Sequence, residues 1–411
     1  RGRPPPAPAP PAPPEDCLRA FFAVPPPRRH AAAHNGLALR DTCFPRKTPN
    51  GTHHVFVIGD WGGLHGKHGI QPADHRSRTF GVRARPFVLG VDDQAQQRVA
   101  AQMAHRAPKS QPDYVLNVGD NFYWAGIGDP GTYGHGRDTE AERVTCDTNP
   151  FGFAAGPVSV QWDKIWRAMY RGVYLDNLQW LGVLGNHDYG GWKFNADWHQ
   201  SIGFTWLSSG RWVTPAQYWS AKVWYSDFSV DYVFVDSNVV DAKVPDLDPG
   251  HNMCSRQHNP KRAKCGLTGP PSVDDCPGWF QSLWEEQLDW LDNVLGNSTA
   301  EWQIVVTHFP PVYLQEAWQD LASRHGVDLI IAGHTHWQNV VYDPAAPLGP
   351  TAVVVSGGGG GITSEASPDK EGNDDQYGFV DLTLGPHEIL IEAVSHGGQV
   401  RSATRVRQRL P

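Results

Sequence analysis

A chain of 411 residues can bury a large core, and 43 acidic against 35 basic residues give it a formal net charge of −8. No Lys/Arg block offers a footprint for a nucleic-acid backbone or an anionic membrane surface, so no nucleic-acid partner is expected. Nor does any run approach the ~18 consecutive apolar residues of a spanning helix, so no transmembrane segment is expected in this chain.

Residues 1–52 read as a Pro-rich extension. "RGRPPPAPAPPAPP" cannot build a core and should stay extended and solvated, and a second proline cluster follows at 25–27. The folded domain is expected over 53–411. There apolar strands alternate with helical stretches: "VFVIGD", "DDQAQQRVAAQMAHR", "YVLNVGD", "VQWDKIWRAMY" and "WLGVLGNHD". That alternation predicts an α/β protein whose chemistry sits in the loops at strand ends. An insertion is expected at about 127–157. "YWSAKVWYSDFSVDYVFVDSN" then reads as successive strands, and 241–277 as a second insertion rich in cysteine and proline. Phe280, Leu283, Trp284, Leu288, Leu291 and Leu295 recur at helical spacing and predict an amphipathic helix over about 279–295, with Gly296 at its end. "WQIVVTH", a helix over about 316–325, "VDLIIAGHTH", "TAVVVSGGGGG" and "YGFVDLTLGPHEILIEAVS" complete the pattern.

Cys17, Cys43, Cys146, Cys254, Cys265 and Cys276 lie outside every strand-like run and lack the paired spacing of a zinc site. Disulfides in an oxidising compartment fit them best, with the pairing left open. Sequons at Asn50 and Asn297 make both candidate glycosylation sites. Together these features point to a secreted or lumenal protein. A signal or anchor upstream of Arg1 would suit that route.

Five apolar runs end in metal-ligand residue types. "VFVIGD" ends at Asp60, "VLNVGDNFY" carries Asp120 and Tyr123, and "LGVLGNHD" carries Asn186, His187 and Asp188. "IVVTH" ends at His308, and "LIIAGHTH" carries His334 and His336. Singly, each has a bland reading as a turn carboxylate or a core histidine. Five at one topological position converge on a single crevice, because strand ends of an α/β sheet do. Carboxylates and a phenolate are hard donors suited to a trivalent cation, whereas amide oxygen and imidazoles suit a divalent one.

In this order, GDWGG, GDNFY, GNHD, TH and GHTH resemble the calcineurin-type metallophosphoesterases, and Tyr123 resembles the ligand of their purple acid phosphatase branch, of the small tartrate-resistant type. The resemblance runs from about His53 to the closing "RQRLP". It implies a four-layer sandwich of two mixed β-sheets flanked by helices. It also implies Fe3+ held by Asp60, Asp120, Tyr123 and His336, and Fe2+, Zn2+ or Mn2+ held by Asp120, Asn186, His308 and His334, with Asp120 bridging. The substrate would be a phosphate monoester, attacked by a metal-bound hydroxide. His187 is the candidate contact to the phosphoryl oxygen and leaving alcohol, and Asp188 the candidate that orients it.

The sequence also departs from that family. No histidine follows His308 before His325, so Gln315 or Glu316 is the candidate occupant of that region. His135 and Arg137 fall in the first insertion, and His53, His54, His65, His68 and His75 read as solvated loop residues. Two rivals stay open: a phosphodiesterase or nucleotide pyrophosphatase of the same fold, and a weakly active or inactive scaffold or assembly protein. The scaffold would engage protein partners through the N-terminal extension or the insertions.

Overall fold

The computed structural model describes residues 20–44, 52–66, 69–73, 85–127, 159–194, 198–265 and 268–408. The strands are β1 (Leu37–Ala38), β2 (Thr42–Cys43), β3 (His53–Ile58), β4 (Leu64–Gly66), β5 (Gly69–Gln71), β6 (Tyr114–Asn117), β7 (Trp180–Gly182), β8 (Trp212–Val213) and β9 (Trp219–Trp224). They continue with β10 (Ser229–Phe234), β11 (Trp302–Val306), β12 (Leu329–Ala332), β13 (Gln338–Val341), β14 (Ala352–Ser356), β15 (Gly378–Leu384), β16 (Glu388–Ser395) and β17 (Val400–Arg407). The α-helices are α1 (Ala95–Ser110), α2 (Asn186–Tyr189), α3 (Trp198–Gly203), α4 (Cys276–Gly296) and α5 (Gln315–His325).

Two mixed sheets result. One has the order β1-β9-β10-β11-β12-β14-β13, with β2 also on β9, and the other the order β17-β16-β15-β3-β6-β7-β8. Within them β3, β6 and β7 run parallel, as do β10, β11, β12 and β14. Alternation along the strands sorts side chains into layers. Val55 and Val57 face the inter-sheet core with Leu116, Leu181, Phe234, Ile304, Val306 and Ile331. Their neighbours Phe56 and Ile58 face outward onto Val99, Met103 and Ala107 of α1. On the far side Val305 and Ile330 pack beneath Leu291 and Leu295 of α4 and Trp318 and Leu321 of α5. The layer order is therefore helix, sheet, sheet, helix. Each fully buried Val or Leu in it contributes about 1.5–3 kcal/mol relative to exposure.

Boundaries moved where local chemistry permitted it. α4 starts at Cys276, earlier than the apolar spacing indicates, because Pro277 is compatible with a first helical turn. α1 continues through Pro108 to Ser110, where only the last turn loses a bond. Trp162–Arg167 is wound as a π-helical stretch. His53 and His54 are not solvated loop residues. They belong to β3, where the buried His53 pairs with Asp113 at 2.9 Å and His54 with Asp381 at 2.9 Å. The first insertion, with His135 and Arg137, lies almost wholly outside the described residues, as do Asn50 and the side chains of His65, His68 and His75.

Candidate metal centre

The carboxyl ends of the parallel strands of both sheets meet along one edge, and main-chain bonds lock them together. The Gly59 amide donates to Ser356 O at 2.9 Å, Asp60 to Gly119 O at 3.0 Å, and Gly333 to His308 O at 2.9 Å. The motif glycines make that approach possible. A Cβ on Gly119, whose φ is +91°, would lie 2.9 Å from His308 Nδ1, and one on Gly185 would lie 2.2 Å from Asp120 Oδ1. Both distances are shorter than side-chain carbons tolerate, so the loops can close only around glycine.

Onto this edge the fold brings the expected ligands. Asp60, Asp120 and His308 present ligand atoms that all lie within 4.8 Å of one another. The Tyr123 hydroxyl donates to Asp120 Oδ2 at 2.9 Å and to Asp60 Oδ1 at 3.0 Å. His336 Nε2 stands 3.5 Å from the same Asp60 oxygen, and His308 Nε2 lies 3.1 Å from Asn186 Oδ1 and 3.4 Å from Asp120 Oδ1. His308 Nδ1 donates to Val118 O at 2.8 Å, which leaves Nε2 with its lone pair toward the cluster. The ring of His334 lies 5.3 Å from that of His308. Asp120 therefore touches both groups of donors, and the turn from Asp120 to Tyr123 delivers two oxygens to one point.

Several features fit this cluster to cations. The buried Nδ1 of His334 has no hydrogen-bond partner, an expensive state for a polar atom unless something accepts its lone pair. Among the described residues seven non-glycine positions take positive φ, and three of them are Asp60, Asp120 and His334 at 57°, 50° and 65°. Such strain gathers at sites where geometry serves a ligand. Charges conflict as well. Burial, reinforced by Asp120, pushes the Asp60 carboxyl well above its ordinary range, and burial beside both carboxylates raises the Tyr123 phenol. Burial, then His308 and His336, drives the His334 imidazole far below its usual value. Burial works to raise Asp120 too, but His308 beside it and the His187 amide donating to it hold it below normal. Cations among these groups would relieve the first three conflicts at once.

A cavity of about 480 Å³ opens over the cluster. His187 lies on its wall, half-buried, with its amide donating to Asp120 Oδ1 at 2.9 Å. Asp188 does not orient the imidazole. Its carboxylate turns back to accept from the Gly185 amide at 2.8 Å and from Asn121 N and Nδ2 at 3.1 and 2.9 Å, while His187 Nδ1 bonds the carbonyl of Trp124. The three-residue step from Gly185 to Asp188 aims a side chain at the start of its own short helix, and the local bond wins. Gln315 and Glu316 do not line the cavity. Tyr313 does, packed edge-on to His334 with ring centroids 5.5 Å apart.

The cavity also uses residues with no strand-end signal. Glu365 Oε1 lies 3.3 Å from His336 Nδ1, a carboxylate behind an imidazole. The cysteine-rich stretch, stapled by the Cys254–Cys276 disulfide, contributes Asp241, Lys243, Asp248 and His251, and Trp192 joins them. Cys43 and Cys265 are disulfide-bonded too. Asn297 is exposed just past α4.

Comparison with known proteins agrees with this architecture. The profile of the family described as "Calcineurin-like phosphoesterase" matches residues 53–338. An "Acid phosphatase" of Aspergillus ficuum is 25% identical over 146 residues, 32% of this chain and 23% of that protein. A "Probable purple acid phosphatase 20" of Arabidopsis thaliana is 26% identical over 131 residues, 27% of this chain and 30% of that protein. The chain thus spans less than a third of either curated relative. Among solved structures, "GAP50 the anchor in the inner membrane complex of Plasmodium" shares the fold with a TM-score of 0.52 at 14% identity, covering 87% of this chain and 90% of that one.

Proposed function

The chain belongs to the calcineurin-like phosphoesterase family, and from that premise we propose that it hydrolyses phosphate monoesters at a dinuclear metal centre. Asp60, Asp120, Tyr123 and His336 would hold Fe3+, and Asp120, Asn186, His308 and His334 would hold Fe2+, Zn2+ or Mn2+. Bound there, the ions would supply Lewis acidity toward the phosphoryl oxygens and a nucleophilic hydroxide near neutral pH. The observation that carries this reading is the convergence of Asp60, Asp120 and His308 within 4.8 Å, with the Tyr123 hydroxyl bonded to both carboxylates.

The chain's own residues do the rest. Because Nδ1 of His187 is engaged by the Trp124 carbonyl, Nε2 is the atom available to hold a phosphoryl oxygen and pass a proton to the departing alcohol. Asp188, buried under Asn121 and Gly185, fixes the backbone turn from which His187 projects. The Cys254–Cys276 disulfide and the exposed Asn297 sequon support passage through an oxidising, secretory compartment.

Metal analysis combined with p-nitrophenyl phosphate turnover across pH tests the proposal, with bis-p-nitrophenyl phosphate as the diester control. Two metals per chain, a visible absorption band absent in Tyr123→Phe, and monoester turnover lost in His187→Ala with metal retained are the expected results. A colourless iron-loaded protein would refute the tyrosinate assignment. A second reading, a scaffold without turnover, is favoured by one observation: Tyr313, not an imidazole, occupies the cavity after His308. A neighbour in fold is itself described as an anchor. Two bound metals with no turnover of any phosphate ester would select it.

A further inference from the structure

Behind the candidate ligands runs a chain of buried polar side chains. Strand pairing between β3, β6 and β7 reaches Ile58, Asn117 and Gly182. Beyond it the three strands turn into the loops that carry Asp60, Asp120 and the Asn186–His187 turn, and side chains join those loops to one another. Trp61 Nε1 donates to Asn117 Oδ1 at 2.9 Å, Asn117 Nδ2 to Asn121 Oδ1 at 2.5 Å, and Asn121 Nδ2 to Asp188 Oδ2 at 2.9 Å. The Asn121 and Gly185 amides add bonds of 3.1 and 2.8 Å to the same carboxylate. None of the four residues is more than 1% exposed.

The sense of this chain is forced from one end. An indole nitrogen only donates, so Asn117 must turn its oxygen to Trp61 and its amide nitrogen to Asn121. Asn121 must answer with its oxygen, which leaves its own nitrogen for the Asp188 carboxylate. Room for the first amide is built in, because a Cβ on Gly182 would stand 2.8 Å from Asn117 Nδ2. Three motifs are joined in this way: Trp61 follows Asp60, Asn121 follows Asp120, and Asp188 follows His187. A buried polar chain whose members are all partnered specifies one arrangement, whereas apolar packing tolerates several. We propose that Asn117 and Asn121 are positioning residues. The one-way chain from Trp61 to Asp188 sets the spacing of Asp60, Asp120 and the Asn186–His187 turn, so the donors stand ready before a cation binds. This rests on the metal-centre reading above, but its test does not require turnover.

A chain of fixed sense has an unusual signature: inverting one link does more damage than inverting two. Asn121→Asp sets a second carboxylate against that of Asp188. Adding Asp188→Asn gives the new carboxylate a donor again, at the loss of the acceptor for the Gly185 amide. Zinc affinity, read by chelator competition on the full chain, should fall about tenfold to a hundredfold in Asn121→Asp. It should recover several-fold in the double variant, although Asp188→Asn is damaging by itself. Gln179→Met controls for stability alone. The Gln179 amide, at the other end of β7, accepts from Phe22 N at 2.6 Å and donates to Phe22 O and Gly210 O at 3.1 and 2.8 Å. Its loss should lower the urea midpoint of the metal-free chain and leave zinc affinity unchanged. Gly182→Ala presses on Asn117 without removing any hydrogen-bonding group, and extends the test should Asn121→Asp not fold; zinc affinity should fall there too. Losses that simply add in the double variant, or wild-type zinc affinity in Asn121→Asp or Gly182→Ala, overturn the proposal. Additive losses in a protein that binds zinc and hydrolyses monoesters sink this chain alone. The expected order without any hydrolysis upholds the chain and sinks the hydrolytic reading, and a wild type that binds no zinc sinks both.

Discussion

Substituting Gly185→Ala tests the centre without touching a ligand. Gly185 has φ −97° and ψ 176°, extended backbone that alanine adopts freely, so any effect comes from the added methyl. That Cβ would lie 2.2 Å from Asp120 Oδ1, 2.5 Å from Asp120 N and 2.9 Å from Asp120 Cγ. The backbone atom cannot yield alone, and swinging the carboxylate away breaks its 2.9 Å bond from the His187 amide. Overpacking of this kind costs about 1–3 kcal/mol, a fall in Tm of about 1–4 °C for a domain of this size. The larger effect falls on metal. Asp120 is the donor shared by both groups, so under the proposed two-ion reading the affinity for both ions should fall by about the tenfold to hundredfold that disturbed supporting contacts typically cost. Thermal melts with metal quantitation on purified protein would measure both. Gly90→Ala is the control: its φ is +85° but a Cβ there meets nothing within 4 Å, so it should lose about 1 kcal/mol and no metal. A Gly185→Ala protein with wild-type metal content and melting temperature would refute the placement of Asp120 against this turn.

Two further outcomes are expected. Glu365→Gln removes the carboxylate 3.3 Å behind His336 Nδ1, and metal affinity should fall about tenfold or more with little change in stability, read by competition with a chelator. His34 accepts from the Arg28 amide at 2.8 Å through Nε2, and burial, then Arg28, lowers its pKa to about 4. Its folded pKa therefore lies below the ordinary ~6.5 of the unfolded chain. The stabilisation is complete above ~6.5 and drains away as pH falls toward 4, with a ceiling of about 3 kcal/mol. Urea titrations at pH 7 and pH 5 should show that slope in the wild type and a shallower one in His34→Gln; parallel slopes would refute it.

Among the neighbours of the proposed metal ligands, Asp188 shows where local reasoning misleads. Its position beside His187 in sequence suggested a pair, but three residues along a helix start is also the distance at which a side chain caps its own turn. Glu365 and His251 carry no strand-end signature at all. Nothing in the periodicity around them indicates which way their loops fold.

The order of the motifs, the strand preceding each candidate ligand and the helices of both outer layers were legible in the linear chain. Each depends on residues a few positions apart, where backbone geometry dictates which side chains share a face. Which residues line the cavity besides those candidates was decided only by the tertiary structure. The wall from Asn238 to His251, the indole of Trp192 pinned to it and the carboxylate of Glu365 are brought in by contacts across dozens of residues. A loop's path is set by what it lands on, and no local pattern in its own sequence records that.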